Sequence, residues 1–262
     1  MIAGFGRKTL PLSMPKLVDL DHPENWPIEL LSVLNHHYEL LRNWEERTKT
    51  RDANAYDQAI CDIDAAMRPF AIKGWHCTRL TDEEISSILA HGLQLPDASM
   101  LYRRIDALVR SGAVTAQIAE NLKSTNQAQE KNRVGMVWFC FFPPRLAGEK
   151  GIARFFRHWG GEALYNSHES NPVTSKQLRC IGMPCIVEAE VPVTLMPKSG
   201  GFSAKIVRRF LVGRGHVSVE PSEHEDRIKW PLPADQICRV IRFPEPDFVE
   251  LTGCRSWRRP LD

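Results

Sequence analysis

The sequence predicts a mixed α+β fold, and three patterns lead to that prediction. Apolar residues recur every three to four positions in the first part of the chain, which is typical of amphipathic helices. Short apolar runs typical of strands follow at 71–80, 134–142, 185–191, 216–220 and 237–243. Helices separate only some of these strands, so the order is not the regular alternation that builds a parallel sheet.

The N-terminal segment, residues 1–70, is predicted to be a helical cap. Leucines and aromatic residues at helical spacing predict an amphipathic helix over 27–48. A second helical pattern ends at Met67, just before Pro69. We therefore divide the chain into this cap and a larger domain over 71–262.

The clearest local signal is a strand followed by a capped helix. Residues 71–80 read as the strand. Thr81 and Glu84 form a capping box, in which each side chain accepts from a free backbone amide of the other. Gly92 is placed to end the helix over 82–91, because glycine adopts positive φ without a steric penalty.

The middle of the chain is predicted to hold more helix and a central strand. Residues 101–130 are helical in pattern and break near Ser111. The run 134–142 is continuously apolar and ends at two prolines, which predicts a strand buried on both faces. A short helix is expected over 151–159.

Composition narrows the class of protein. The 262 residues are 43% hydrophobic and 25% charged, which excludes a disordered tail, a collagen-like repeat and a coiled-coil rod. The seven cysteines are scattered without a CxxC pair, so we expect reduced thiols and no metal site. No apolar run has the length of a signal peptide or a membrane span, and we expect a cytoplasmic protein.

The near-neutral charge of +2 hides an asymmetry. Residues 1–70 hold 8 basic and 11 acidic residues, a net of −3, and the remainder carries +5. The stretch 191–219 has no acidic residue and five basic ones: Lys198, Lys205, Arg208, Arg209 and Arg214. A positive field of this kind can hold an anionic ligand, although a solvated helix face has the same composition.

Common enzyme motifs are absent from the sequence. It contains no GxGxxG after a strand, no P-loop, no GxSxG and no HExxH. Three other blocks stand in order: Trp75-His-Cys-Thr-Arg79 with Gly92-Leu93; Gly135-Met-Val-Trp-Phe-Cys140 with a helix behind it; and Glu223-His-Glu225 before the last strand.

This order resembles the ADP-ribosyltransferase fold family over about 71–243. In that family a first core strand carries His-x-Thr, a middle strand reads Gly-hydrophobic-aromatic-Phe, and a Glu-x-Glu stands before the final strand. The resemblance implies a mixed β core with flanking helices, here preceded by the N-terminal helical segment. The insertion 94–132 is long relative to the family, and Cys140 and Phe141 occupy the zone after the middle strand where the family usually has Ser or Tyr.

The resemblance implies an enzyme that cleaves NAD and transfers ADP-ribose to a protein or a nucleic acid, as bacterial toxins and antiphage factors do. Glu225, with Glu223 second, would stabilise the positive charge that develops on the ribose. Glu162, behind two glycines, is a further candidate for this acidic role.

Residues for NAD binding follow from the same resemblance. His76 would hydrogen-bond the adenosine ribose, and Thr78 and Arg79 would support the strand end or the phosphates. Trp138 or Phe139 could stack on nicotinamide. Arg154, with Arg157 three residues on, could meet the pyrophosphate.

Other interpretations of these residues remain open at this point. His76, Trp138 and Phe139 could be ordinary core residues, and Arg154 could be a surface residue. The acidic run at 223–226 could be a solvated loop. In functional terms, the alternative is a non-catalytic module that binds nucleic acid through a basic groove and exposed aromatic residues.

Overall fold

The computed structural model describes residues 16–48, 51–197, 200–218, 220 and 224–261. Within these residues the chain forms eleven α-helices and six strands, so the predicted α+β class is confirmed. None of the helices in the described part is long and apolar enough to span a bilayer.

The N-terminal segment is helical, as its pattern predicts. It consists of β1 (Lys16–Val18), α1 (Ile28–His36), α2 (Tyr38–Glu45) and α3 (Ala53–Met67). The single helix predicted over 27–48 is divided at His37, whose ψ of 8° leaves the helical range.

The strand and capped helix lie where the sequence places them. β2 spans Phe70–Leu80, and α4 spans Asp82–His91. Both hydrogen bonds of the capping box between Thr81 and Glu84 are present. Gly92 ends the helix with a φ of 76°, and a Cβ at this position would lie 1.9 Å from the carbonyl oxygen of Leu232.

The central strand is shorter and less buried than expected. Helices α5 (Ala98–Arg110) and α6 (Ala116–Ser124) precede β3, which spans only Val137–Cys140. Trp138 in this strand is 38% exposed. The prediction of a strand over 134–142 buried on both faces is therefore wrong, because one face of β3 borders a cleft.

The C-terminal half holds more helix than the sequence suggested. Its elements are α7 (Gly148–Arg157), α8 (Glu162–His168), α9 (Pro172–Cys180), β4 (Met183–Pro192), α10 (Gly200–Val212), β5 (Glu225–Ile228), β6 (Ile237–Arg242) and α11 (Pro246–Thr252). The strand expected over 216–220 is not formed by the described residues 216–218 and 220, where Val217 is 89% exposed. In the structure, the strand that precedes β6 is β5, at Glu225–Ile228.

The sheet has the order β5-β3-β2-β4-β6, and β1 pairs in parallel with the start of β2. All other pairings are antiparallel. The long central strand β2 pairs with β4 from Ala71 to Leu80. Thus the strand of His76, the middle strand and the strand of Glu225 lie side by side as β2, β3 and β5.

The N-terminal helices and one face of the sheet share a single hydrophobic core. Leu34, Ile63 and Met67 from the helices pack in the same cluster as Phe139 and Val187 from the sheet. Helices α7 and α11 cover the other face, around Trp75 and Phe156. The segment 1–70 that we predicted as a cap is thus packed into the core by its described residues.

Candidate functional site

A cleft opens where the neighbouring strands β2 and β3 separate. In these described strands a single pair, Trp75 with Cys140, bridges β2 and β3, and from there to Leu80 β2 is paired with β4 and not with β3. The cleft has a volume of about 1600 Å³, and α4 and α5 help to wall it. Ligand sites usually occupy about 300–1,000 Å³, so this cleft has room for a dinucleotide and part of a second molecule.

His76 lies half-buried in this cleft. Its Nδ1 is 2.8 Å from the carbonyl oxygen of Trp138. A carbonyl can only accept, so Nδ1 carries the proton of a neutral ring. Burial lowers the pKa of His76, and the charge of Arg104 lowers it further, against the opposing effect of the Trp138 carbonyl. At neutral pH the ring is neutral, and Nε2 can accept a hydrogen bond from a ligand hydroxyl.

Thr78 and Arg79 have different surroundings, since neighbouring residues of a strand lie on opposite faces. Thr78 is half-buried and lines the cleft. Arg79 is buried and donates to the carbonyl oxygens of Ile181 (2.6 Å), Phe156 (3.0 Å) and Gly182 (3.0 Å). Of its two predicted roles, Arg79 therefore fits support of the strand end and is not available to a phosphate.

The two aromatic residues proposed for stacking are also separated by strand alternation. Phe139 is 1% exposed and packs beside Phe141, with ring centroids 6.0 Å apart. Trp138 lines the cleft with an exposed face, and the guanidinium of Arg227 lies 5.1 Å from its ring centroid. Only Trp138 of the pair offers a ring to a ligand.

Glu225 is the exposed first residue of β5 and lines the same cleft as His76. It pairs in register with Cys140, which pairs with Trp75, so the three side chains share one face of the sheet. His76 belongs to the other face of β2. Both nevertheless border the cleft, because the separation of β2 and β3 opens the sheet at this point.

The Glu225 carboxylate forms no hydrogen bond or ion pair with any residue of the described segments. Glu223, our second choice for the acidic role, lies outside the described residues. Glu162, the third candidate, also lines the cleft. Its carboxylate is 3.3 Å from the Arg133 guanidinium and accepts from Tyr165 at 3.2 Å. Of the two carboxylates that the structure describes, Glu225 is therefore better placed than Glu162 to contact a ligand.

The predicted pyrophosphate role of Arg154 is not supported by its position. Arg154 lies outside the cleft lining, and its guanidinium donates to Glu169 at 2.7 and 3.0 Å and to Asn166 at 2.9 Å. Arg157 pairs with Glu149 at 3.0 Å. On a surface helix with acidic neighbours, both arginines are neutralised within the protein.

The basic stretch 191–219 contains α10, and its arginines hold the N-terminal segment. Arg208 pairs with Glu45 at 3.0 Å, and Arg209 donates to the backbone of Asp21 at 2.6 Å. Arg214 donates to Asn35 at 2.6 Å. Acidic residues of the N-terminal segment thus neutralise two of the five basic residues, Arg208 and Arg209. Lys205 lines the cleft, and Lys198 lies outside the described residues.

Sequence reasoning missed several residues that line the cleft. Cys77 and Cys140 lie close together there, and hydrogen bonding to Cys140 together with burial raises the pKa of Cys77. His224 lines it beside Glu225, with a buried Nε2 that has no hydrogen-bond partner in the described structure. For two of them adjacency was the available signal, because Cys77 follows His76 and His224 precedes Glu225.

Comparisons with protein-family models, with curated proteins and with solved structures return no match to this chain. Among the described residues, no group of three His, Cys, Asp or Glu side chains is arranged to hold a metal ion.

Proposed function

We propose that the protein is an NAD-dependent ADP-ribosyltransferase that transfers ADP-ribose to a protein or nucleic-acid acceptor. The observation that carries this proposal is that His76, Trp138 and Glu225 line one cleft. These residues come from three separate blocks of the sequence, and the resemblance gives each a role toward the same substrate. A role as a toxin or an antiphage factor belongs to the same proposal.

Each residue is chemically suited to its role. The neutral His76 ring keeps Nε2 as an acceptor for a ribose hydroxyl. The exposed ring of Trp138 offers a surface for nicotinamide. The Glu225 carboxylate, which has no partner among the described residues, can stabilise the positive charge on the ribose as the nicotinamide bond breaks.

The proposal is tested by incubating the protein with labelled NAD together with cell lysate, DNA and RNA. We expect wild type to transfer the label or hydrolyse NAD. Glu225→Gln should lower the rate about 10²- to 10³-fold, the usual cost of losing a group that stabilises the transition state. An exposed residue outside the cleft provides the matched control, namely Glu250→Gln.

Two results would redirect the proposal. If wild type neither transfers ADP-ribose nor hydrolyses NAD, the proposed enzymatic activity is refuted. Full activity in Glu225→Gln would refute the catalytic assignment and leave Glu223 and Glu162 as candidates. The alternative of a non-catalytic nucleic-acid module predicts strongly salt-dependent binding without NAD turnover. The pairing of Arg208 with Glu45 and of Arg209 with Asp21 weighs against that alternative.

A further inference from the structure

We propose that Arg104 on α5 is a preformed anchor for the diphosphate of a nucleotide bound in the cleft. The identity of the ligand, a nucleoside diphosphate group, rests on the proposed function. The residue itself lies in 94–132, the stretch for which the family resemblance offers no counterpart. The assignment therefore depends on contacts in this structure.

Two contacts fix the plane of the Arg104 guanidinium. Its Nε donates to Glu84 Oε1 at 2.6 Å. Its central carbon lies 4.5 Å from the centroid of the Trp159 ring, a distance at which the cation is attracted to the aromatic face. A side chain held in this way loses little conformational freedom when a ligand binds, which favours affinity.

Glu84 is held in turn by two other donors. The Trp159 indole donates to its two oxygens at 3.2 and 3.0 Å, and the backbone amide of Thr81 donates at 2.9 Å. Burial acts to raise the pKa of Glu84, but the charge of Arg104 and these hydrogen bonds keep it below the usual value. The carboxylate therefore stays ionised and holds Arg104 through Nε.

The other end of Arg104 is available to a ligand. Of the five N–H donors of a guanidinium, four are on Nη1 and Nη2, and these have no hydrogen-bond partner among the described residues. The side chain is 28% exposed and lines the cleft. By contrast, Arg133 in the same cleft is engaged by Glu130 and Glu162.

Phosphate oxygens suit this arrangement. A planar guanidinium with two free nitrogens can donate two parallel hydrogen bonds to phosphate oxygens. Arg104 also lies close enough to His76 for its charge to lower the pKa of that histidine. A nucleotide whose ribose bonds to His76 would therefore place its phosphates near Arg104.

The test compares binding of ADP and of adenosine by calorimetry in the full chain. Arg104→Gln should weaken ADP binding at least about tenfold, because charge-assisted hydrogen bonds are lost. Adenosine affinity should change less than about twofold. Arg104→Lys keeps the charge next to Glu84 but cannot donate two parallel hydrogen bonds to a phosphate. Its ADP affinity should therefore lie between those of wild type and Arg104→Gln. Arg110→Gln, an exposed change on the same helix, is the matched control.

The outcomes separate this inference from the proposed function. Unchanged ADP affinity in Arg104→Gln, or an equal loss for adenosine, would overturn the anchor even if wild type transfers ADP-ribose. If Arg104→Gln selectively loses ADP binding while wild type does not turn over NAD, the anchor is supported and the proposed enzymatic activity is refuted. If Arg104→Gln does not fold, Arg104→Lys decides, and wild-type ADP affinity in that variant would overturn the proposal.

Discussion

Replacement of Arg79 by methionine tests the role that the structure gives this residue. Arg79 ties the end of β2 to the end of α7 and to the turn before β4 through three carbonyl oxygens, at 2.6, 3.0 and 3.0 Å. Methionine keeps most of the apolar stem and removes the donors. The change should therefore weaken the fold without removing a ligand contact.

The expected cost follows from these three bonds. Hydrogen bonds to a charged group contribute about 1.5–3 kcal/mol each, so the lower limit for three is about 4.5 kcal/mol. Removal of a buried charge recovers part of its desolvation cost. We expect the free energy of unfolding to fall by about 3–4 kcal/mol, a large share of the ~5–15 kcal/mol that stabilises a typical domain.

Urea unfolding at neutral pH measures this effect. If the free energy of unfolding falls by about 3 kcal/mol per molar urea, the unfolding midpoint should shift by about 1 M. Arg154→Met, which removes an exposed ion pair, should change stability by less than about 1 kcal/mol. If the urea midpoint shifts no more for Arg79→Met than for Arg154→Met, and ADP binding weakens, the structural role is refuted. Arg79 would then be assigned to phosphate binding.

Three other changes test the fold and the site. Gly92→Ala should cost more than about 2 kcal/mol in urea unfolding, since its Cβ would lie 1.9 Å from a carbonyl oxygen at a φ of +76°; wild-type stability would contradict this. Burial lowers the pKa of His224 to about 4, and the unfolded histidine has a pKa near 6.5. The unfolded chain binds that proton first, so stability should fall as pH drops from about 6.5 toward 4. His224→Phe should remove about 2 kcal/mol of this loss between pH 7 and about 4.5, and an unchanged pH dependence of the urea midpoint would exclude the assignment. Arg208→Gln combined with Arg209→Gln should lower stability by about 1–3 kcal/mol and leave DNA affinity unchanged, whereas reduced DNA binding would make the basic stretch an interface.

Local patterns were predicted well because their causes are local. The capping box of Thr81 and Glu84 spans four residues, and its hydrogen bonds form within that span. Gly92 could be placed because a helix end needs positive φ.

The parts that were missed depend on partners far along the chain. Glu225 begins a strand of polar residues, Glu-Asp-Arg-Ile, which becomes a strand by pairing with β3. The arginines of α10 suggested an anionic partner, but their acids lie in the N-terminal segment, 163 residues away for Arg208 and Glu45. Composition shows the charges of such a pair without showing that they meet.

These long-range contacts also set the order in which the protein can fold during synthesis. Tyr38 bonds His216 across 178 residues, and Arg209 bonds Asp21 across 188. The N-terminal helices therefore acquire their final neighbours only after α10 has left the ribosome. Until then, the apolar faces of α1 and α3 lack part of the surface that buries them. Folding of this chain is completed late, as expected of a topology with many non-local contacts.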